Sequence, residues 1–425
     1  MGKGRLTAGG NDNQKPLEQQ VKYNFDQEIR RTGTHSVKWQ IYWRGDKREL
    51  WEGTDPSLGD DRTLPMWVAD MDFQVAQPIL DAMRKRIDHP IFGYVVRTPD
   101  YNEAVTGWME RRHGWKIDPD WIVNTPGVVP ALNLLVRALS EPGDKVLIQR
   151  PVYYPFTYAI ENNGREVVSN SLMMENGVYR MDFADLEAKA ADPKTKLLIL
   201  CSPHNPVGRV WTEEELRRLG EICNKHGVVV IADEIHGDLM LNGSTFVPYG
   251  KLGREFMDNS IVCTAPSKTF NLAGLHTSNM IVSNEAHRKA LVKEIGASGI
   301  GGMNTFGLEA TKAAYNEGEE WLSQVLDYLS GNANFLESFV AERIPEIKVI
   351  HPEGTYLVWL DCRGLGLDKL ELEAMMHEEV KVLFDEGYVF GSEGEGFERI
   401  NIACPRSILT EALERIERAV AKRRK

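Results

Sequence analysis

The sequence predicts an α/β fold: a large, doubly wound, mostly parallel sheet joined to a smaller α+β unit. Three observations predict it. Short apolar runs alternate with helical patterns between about residues 121 and 282, the signature of βαβ units. After about residue 310 the texture changes to a long helical stretch followed by strand-like runs. And 425 residues exceed what one ordinary core accommodates, so two domains are expected.

Residues 1–23 are polar and Gly-containing and are expected to form a disordered arm. Residues 24–75 and 310–425 are assigned to the small domain, and 76–309 to the large one. Within the first part, 25–43 carry a mixed helical pattern. Residues 44–63 are charged and turn-rich, hence a surface loop, and 64–73 read as a short strand and turn. Helices are expected at 77–86 and 100–113, flanking a loop at 89–94 with an aromatic tip. Strand 121–125 leads into helix 129–139, which sets Leu132, Leu135, Val136 and Leu139 on one face. Strands follow at 145–149, 196–201, 228–232, 260–264 and 278–282. Helix 212–226 is opened by the capping box Thr212-Glu-Glu-Glu215. Lys268 falls in the loop between the last two strands. Beyond them, the helical stretch 306–340 is interrupted at Gly318 and Gly331. Strands at 347–350, 355–360 and 400–403, a helix near 370–379 and a terminal helix complete the chain.

Composition narrows the function classes. With 42% hydrophobic and 26% charged residues the chain reads as soluble and globular. A net charge of −12 argues against a nucleic-acid or anionic-membrane surface. No apolar run reaches the length of a membrane span, and the N-terminus lacks an apolar signal core. The five cysteines form no Cys-x-x-Cys pair, which fits reduced thiols and a cytoplasmic location. The ten histidines make no His-x-x-x-His pair, so no metal site is expected.

In a doubly wound sheet, ligands bind outside the carboxyl ends of the strands. The residues that follow each predicted strand are therefore informative. Gly127, Val128 and Val129 open a helix, whose free N–H groups and positive dipole end make an anion cradle. Tyr153 offers an aromatic face for a flat ring. Asn205, in a proline-stiffened turn, offers a positioned amide. Asp233 ends an apolar strand, where a carboxylate is costly unless paired. Lys268 is an amine that burial would make nucleophilic. Each has a bland reading: a turn, a packed aromatic, a surface cation. Together they supply a phosphate anchor, a ring stacker, a phenolate partner, a pyridinium partner and an imine-forming lysine, the requirements of pyridoxal phosphate.

The chain resembles the fold-type-I pyridoxal-phosphate enzymes of the aminotransferase class I/II superfamily. Within them it is similar to the MalY/PatB family of C–S β-lyases, of the cystathionine β-lyase or cysteine desulfhydrase type. The resemblance runs from about residue 24 to the end. It is carried by Thr32-Gly-Thr-His-Ser-Val-Lys-Trp39, Leu64-Pro-Met-Trp-Val-Ala-Asp-Met-Asp-Phe73, Phe92-Gly-Tyr94, Arg111-Arg-His-Gly-Trp115, Cys201-Ser-Pro-His-Asn-Pro-Val-Gly-Arg-Val-Trp211, Asp233-Glu-Ile-His236 and Pro266-Ser-Lys-Thr-Phe-Asn-Leu-Ala-Gly274. The stretches 64–73 and 201–211 are the most specific.

The resemblance implies a role for each position. Lys268 holds the cofactor and moves protons. Asp233 pairs with the pyridine nitrogen, Asn205 with the phenolic oxygen, and Tyr153 stacks on the ring. The amides of Gly127, Val128 and Val129 bind phosphate, with His236 and Ser267 also at the cofactor. Arg399 and Asn205 hold the substrate carboxylate, Arg399 as a bidentate fork. Tyr94 enters the neighbouring subunit's site, so a homodimer with shared active sites is implied. Two positions depart from the wider superfamily: His236 stands where many members have Tyr, and His276 where many have Arg. The activity implied is β-elimination of L-cystathionine, L-cysteine or related S-conjugates to pyruvate, ammonia and a thiol. An aminotransferase, a replacing or cyclising enzyme of secondary metabolism, and a catalytically idle regulator are the alternatives.

Overall fold

The computed structural model describes residues 22–44 and 47–424. Of the arm expected over residues 1–23, residues 1–21 lie outside the described residues, while Tyr23 donates its amide to Gln324 Oε1 at 3.0 Å. The large sheet has seven strands: Ile122–Thr125 (β1), Lys145–Ile148 (β2), Glu166–Ser169 (β3), Thr195–Cys201 (β4), Val229–Asp233 (β5), Ser260–Thr264 (β6) and Ser278–Ile281 (β7). Their spatial order is β1-β7-β6-β5-β4-β2-β3. The pairs β6–β5, β5–β4, β4–β2 and β2–β3 are parallel. β7 runs antiparallel to both β6 and β1, so the expectation of a mostly parallel sheet holds with one strand reversed. β5 and β6 lie at its centre, and every side chain of β4 except Lys196 is buried, as strands covered on both faces require.

Helices cover both faces. Val128–Leu139 (α1) buries Leu132, Leu135 and Val136 as expected, and also Ala131 and Leu134. Burial of each Leu contributes about 1.5–3 kcal/mol. Glu213–His226 (α2) begins with the predicted box: Thr212 Oγ1 accepts from Glu215 N at 3.2 Å, and Glu215 Oε2 accepts from Thr212 N at 2.9 Å.

The C-terminal part forms a four-stranded antiparallel sheet from Lys348–Ile350 (β8), Leu357–Asp361 (β9), Asp385–Glu386 (β10) and Phe397–Asn401 (β11), in the order β8-β9-β11-β10. Thr305–Glu317 (α3), Glu319–Arg343 (α4) and Arg406–Arg423 (α6) are its long helices. Lys369–Ala374 (α5) continues into a π-helical turn over Met375–Val380. Leu64–Pro65 pairs in parallel with Val382–Leu383, which ties the N-terminal stretch to this part. The apolar interior runs on from here beneath one face of the large sheet, and a second cluster lies under α1.

Several expectations are corrected. Lys268 is not in a loop: it lies in a helical turn, Pro266–Thr269, because Pro266 at its first position starts a helix readily. Residues 25–43 are helical only over Val37–Gln40. The expected surface loop over 44–63 includes part of a hairpin, Ile41–Arg44 with Lys47–Leu50, and a 3-10 segment, Pro56–Asp61, with Thr54 and Thr63 buried. The stretch 306–340 breaks only at Gly318. A Cβ there would lie 2.5 Å from both Ala314 O and a Phe270 ring carbon, so the junction needs glycine, whereas Gly331 sits inside α4. The strand expected at 400–403 is β11, three residues earlier.

Candidate active site

The carboxyl ends of β1, β4, β5 and β6 converge on one cleft of about 270 Å³. Gly127, Val128 and Val129 line it where α1 begins, and Tyr153, from the loop after β2, forms part of its wall. Asn205, Asp233, His236, Ser267 and Lys268 complete the set. All nine cofactor positions named from the sequence are thus brought together. The turn that delivers Asn205 favours glycine at Gly208, whose φ of +73° is left-handed and where an added Cβ would lie 3.2 Å from Pro352 Cα, so a side chain there would be strained.

Asp233 ends the central strand, 5% exposed. Its Oδ1 accepts one hydrogen bond, from Ile235 N at 3.2 Å. Among the described residues no basic side chain forms an ion pair with it. Burial pushes its carboxyl up to about 7, against the pull of the Ile235 amide and the more distant Lys268. Lys268 Nζ donates to Ala69 O at 2.6 Å. Burial lowers its amine to about 8, against the raising effect of Asp70. His236 is also buried and held neutral by burial, with Lys268 and Arg399 acting the same way. Its Nδ1 has no hydrogen-bond partner among the described residues.

These features fit pyridoxal phosphate. A buried carboxylate without a basic partner suits a protonated ring nitrogen. An orphaned imidazole nitrogen suits a ring substituent, and the open N-terminus of a twelve-residue helix suits a phosphate.

Arg399, on β11, is 2% exposed. Nη1 donates to Asn205 Oδ1 at 3.0 Å and Nη2 to Trp67 O at 2.9 Å. Nη2 also pairs with the buried Asp385, while Nε has no partner among the described residues. The expected fork is therefore partly engaged already, by an acid that sequence reasoning missed. Burial raises the Asp385 carboxyl to about 6 even beside Arg399. Nothing in the sequence marks Asp385: it sits on a two-residue strand, and only the β10–β11 register sets it opposite Arg399.

The stretch 64–73, read from its residues alone as an ordinary strand and turn, is a wall of the site. Besides Trp67 and Ala69, its Val68 and Asp70 carbonyls each accept from Asn401 Nδ2 at 2.7 Å. The stretch is anchored from the other side. Asp72 accepts from Lys38 Nζ at 2.6 Å, Arg31 Nη1 at 2.6 Å and Trp39 Nε1 at 2.8 Å. His276, in the left-handed region at φ 49°, also lines the cleft.

Tyr94 is not brought to this cleft. It is fully exposed in the segment after helix Gln77–Asp88, and Ile87, Ile91, Phe92 and Val96 beside it are exposed as well. The five cysteines are all buried and unbridged. Among the described residues no helix is long and apolar enough to cross a membrane.

The family model for aminotransferase class I and II matches residues 68–416. The chain is 44% identical to cystathionine β-lyase PatB of Bacillus subtilis (strain 168), over 94% of this chain and 100% of the relative. It is 34% identical to protein MalY of Escherichia coli (strain K12), over 87% of this chain and 95% of the relative. It superposes on cystalysin from Treponema denticola, a structure that contains pyridoxal 5′-phosphate, with a TM-score of 0.90 and 38% identity, covering 95% of this chain and 100% of that one.

The state of the Lys268 amine is directly testable. A reagent that attacks only neutral amines, such as trinitrobenzenesulfonate, should label Lys268 in the cofactor-free protein with a half-maximal rate near pH 8, because the neutral form grows as pH rises through that value. Peptide mapping reads the site of labelling. A midpoint near the 10.5 of an ordinary lysine would show that burial does not act on this amine.

Proposed function

The chain belongs to the aminotransferase class I and II family, and we propose that it is a pyridoxal-phosphate-dependent C–S lyase of the cystathionine β-lyase type. Its substrates are L-cystathionine, L-cysteine or related S-conjugates, and its products are pyruvate, ammonia and a thiol. The observation that carries the reading is the buried Asp233 carboxylate without a basic side-chain partner, in the same cleft as an amine of lowered pKa. Similarity to proteins named as cystathionine β-lyases supports the choice of a sulfur-bearing substrate.

When bound, pyridoxal phosphate supplies a carbonyl that condenses with amines and a protonated ring that accepts an electron pair from Cα. The protein does the rest. The amides of Val128 and Val129 and the α1 dipole hold the phosphate. Tyr153 would stack on the ring, and Asn205 and His236 would hold its phenolic oxygen. Asp233 keeps the proton on the ring nitrogen, which draws electrons away from Cα. Arg399 receives the substrate carboxylate through Nε, the donor that lacks a partner. Lys268 would hold the cofactor through Nζ, and the same amine would take the proton from Cα. The thiolate leaves from Cβ, and the released enamine takes up water to give pyruvate and ammonia.

The chain works, in this reading, as a cytoplasmic homodimer with residues 24–75 and 310–425 forming the small domain and 76–309 the large one. The exposed apolar run around Tyr94 supports a dimer interface, since contiguous exposed apolar surface marks contact sites. Tyr94 then reaches the cleft of the neighbouring subunit.

Incubation with L-cystathionine, without any amino acceptor, should release pyruvate, ammonia and thiol in equal amounts. A 2-oxo acid that retains its sulfur, formed one-for-one with an aminated acceptor, would establish the aminotransferase instead. The shared site has its own test. Lys268→Ala and Tyr94→Phe should each be inactive alone. After dissociation and reassociation, each mixed dimer holds one site with both residues intact, so up to about half of the wild-type rate should return. Full activity of Tyr94→Phe, or no recovery despite demonstrated subunit exchange, would remove Tyr94 from the site.

A further inference from the structure

Outside the cleft, Glu373, His377 and Glu386 bring one ligand atom each to within 4.8 Å of one another, and all three are half-buried. Glu373 and His377 are four residues apart across the junction of α5 with the π-helical turn, so they project on one side. Glu386 comes from β10. His377 Nε2 lies 2.8 Å from Glu386 Oε1, and Tyr388 Oη donates to Glu373 Oε2 at 2.9 Å.

An independent observation points to a ligand. Glu398, on β11, is only 1% exposed, and its Oε2 has no hydrogen-bond partner among the described residues. It stands directly opposite Glu386 in the β10–β11 ladder. Such opposed side chains share a face of the sheet, with Cβ atoms roughly 5 Å apart. The third carboxylate therefore projects on the same side as Glu386, and its orphaned oxygen is the kind of buried polar atom that folded proteins otherwise satisfy. Two carboxylates and one imidazole converge here, and a third, buried acid lies on the same face of the sheet, an arrangement that a positive charge would stabilise.

We propose that Glu373, His377 and Glu386 bind a first-row divalent cation, whose charge also offsets the buried, unpartnered Glu398 carboxyl on the same face of the sheet. An imidazole among carboxylates suits Zn²⁺ better than Ca²⁺ or Mg²⁺, which take oxygen ligands. Tyr388 then orients Glu373 from outside the coordination sphere. The expectation of no metal site rested on pairs of residues within one helix. Here one ligand comes from a strand, which sequence spacing does not reveal. The cation also has a structural consequence for the active site, because it fixes the strand on which Asp385 pairs with Arg399.

The test is equilibrium dialysis of chelator-treated holoenzyme against micromolar Zn²⁺, with the metal counted by mass spectrometry. Wild type should retain about one Zn²⁺ per chain more than either Glu386→Gln or His377→Gln. Lys268→Ala should retain as much as wild type, which separates this site from the cleft. Zn²⁺ should also raise the melting temperature of wild type and leave that of the two variants unchanged, as binding to the folded state alone requires. Either variant suffices if the other fails to fold. Equal retention by wild type and variant, or no retention by wild type, would overturn the proposal and leave the lyase reading untouched.

Discussion

A carboxylate at the end of the central strand of a buried sheet is an unfavourable place to leave a charge. Asp233 is there, with one backbone amide bonded to it and, among the described residues, no basic side chain paired with it. The chain itself relieves that cost only by raising the carboxyl to about 7; a cation bound in the cleft would relieve it with the charge kept. The sheet order puts β4, β5 and β6 side by side, so the residues that follow each strand crowd around the same point. The amide of Asn205, the acid of Asp233 and the amine of Lys268 are neighbours because their strands are. Burial then sets their chemistry: it raises the acid and lowers the amine, bringing two groups of opposite ordinary behaviour toward the same pH range.

A second constraint holds the floor of the cleft in place. The segment 64–73 offers its carbonyls to Lys268, Arg399 and Asn401, and a carbonyl is useful only if it does not move. Asp72 supplies the anchor, with Lys38, Arg31 and Trp39 all donating to it. Two separate sequence stretches, 31–39 and 64–73, thus act as one part: the first provides the donors and the second the acceptor. Lys38 is fully buried, so loss of Asp72 would leave its charge with few partners. Such pairs are weak contributors to net stability but costly to break, and here the pair fixes a geometry.

Six of the seven strands of the large sheet were legible because strands covered on both faces appear as continuous apolar runs, and helix α2 because Thr212 and Glu215 announce its start; the edge strand β3, with its mixed Glu166-Val-Val-Ser169, was not read. The residues that line the cleft were legible because each follows a strand, and the carboxyl edge of such a sheet is where ligands bind. Residues 25–63 were read less well. Their conformation depends on tertiary partners, as in Thr54 Oγ1 bonding to Trp39 O, rather than on local periodicity. Asp385 was invisible because its importance comes from strand register, which connects positions 385 and 399 through a turn and two short 3-10 segments. Tyr94 was singled out by resemblance alone, and within one chain it touches nothing in the cleft.

The central claim is that Asp233 acts on the reacting centre through charge and is not merely a packed side chain. The most direct measurement is the rate at which the Asp233→Asn enzyme exchanges the Cα proton of a sulfur-bearing amino acid with deuterium, with cofactor content followed by absorbance in the same samples. The account predicts that the variant retains bound cofactor while exchange slows by on the order of 100-fold or more, the effect of losing one preorganised electrostatic partner, roughly 3 kcal/mol. Exchange at a near wild-type rate with cofactor in place would contradict it.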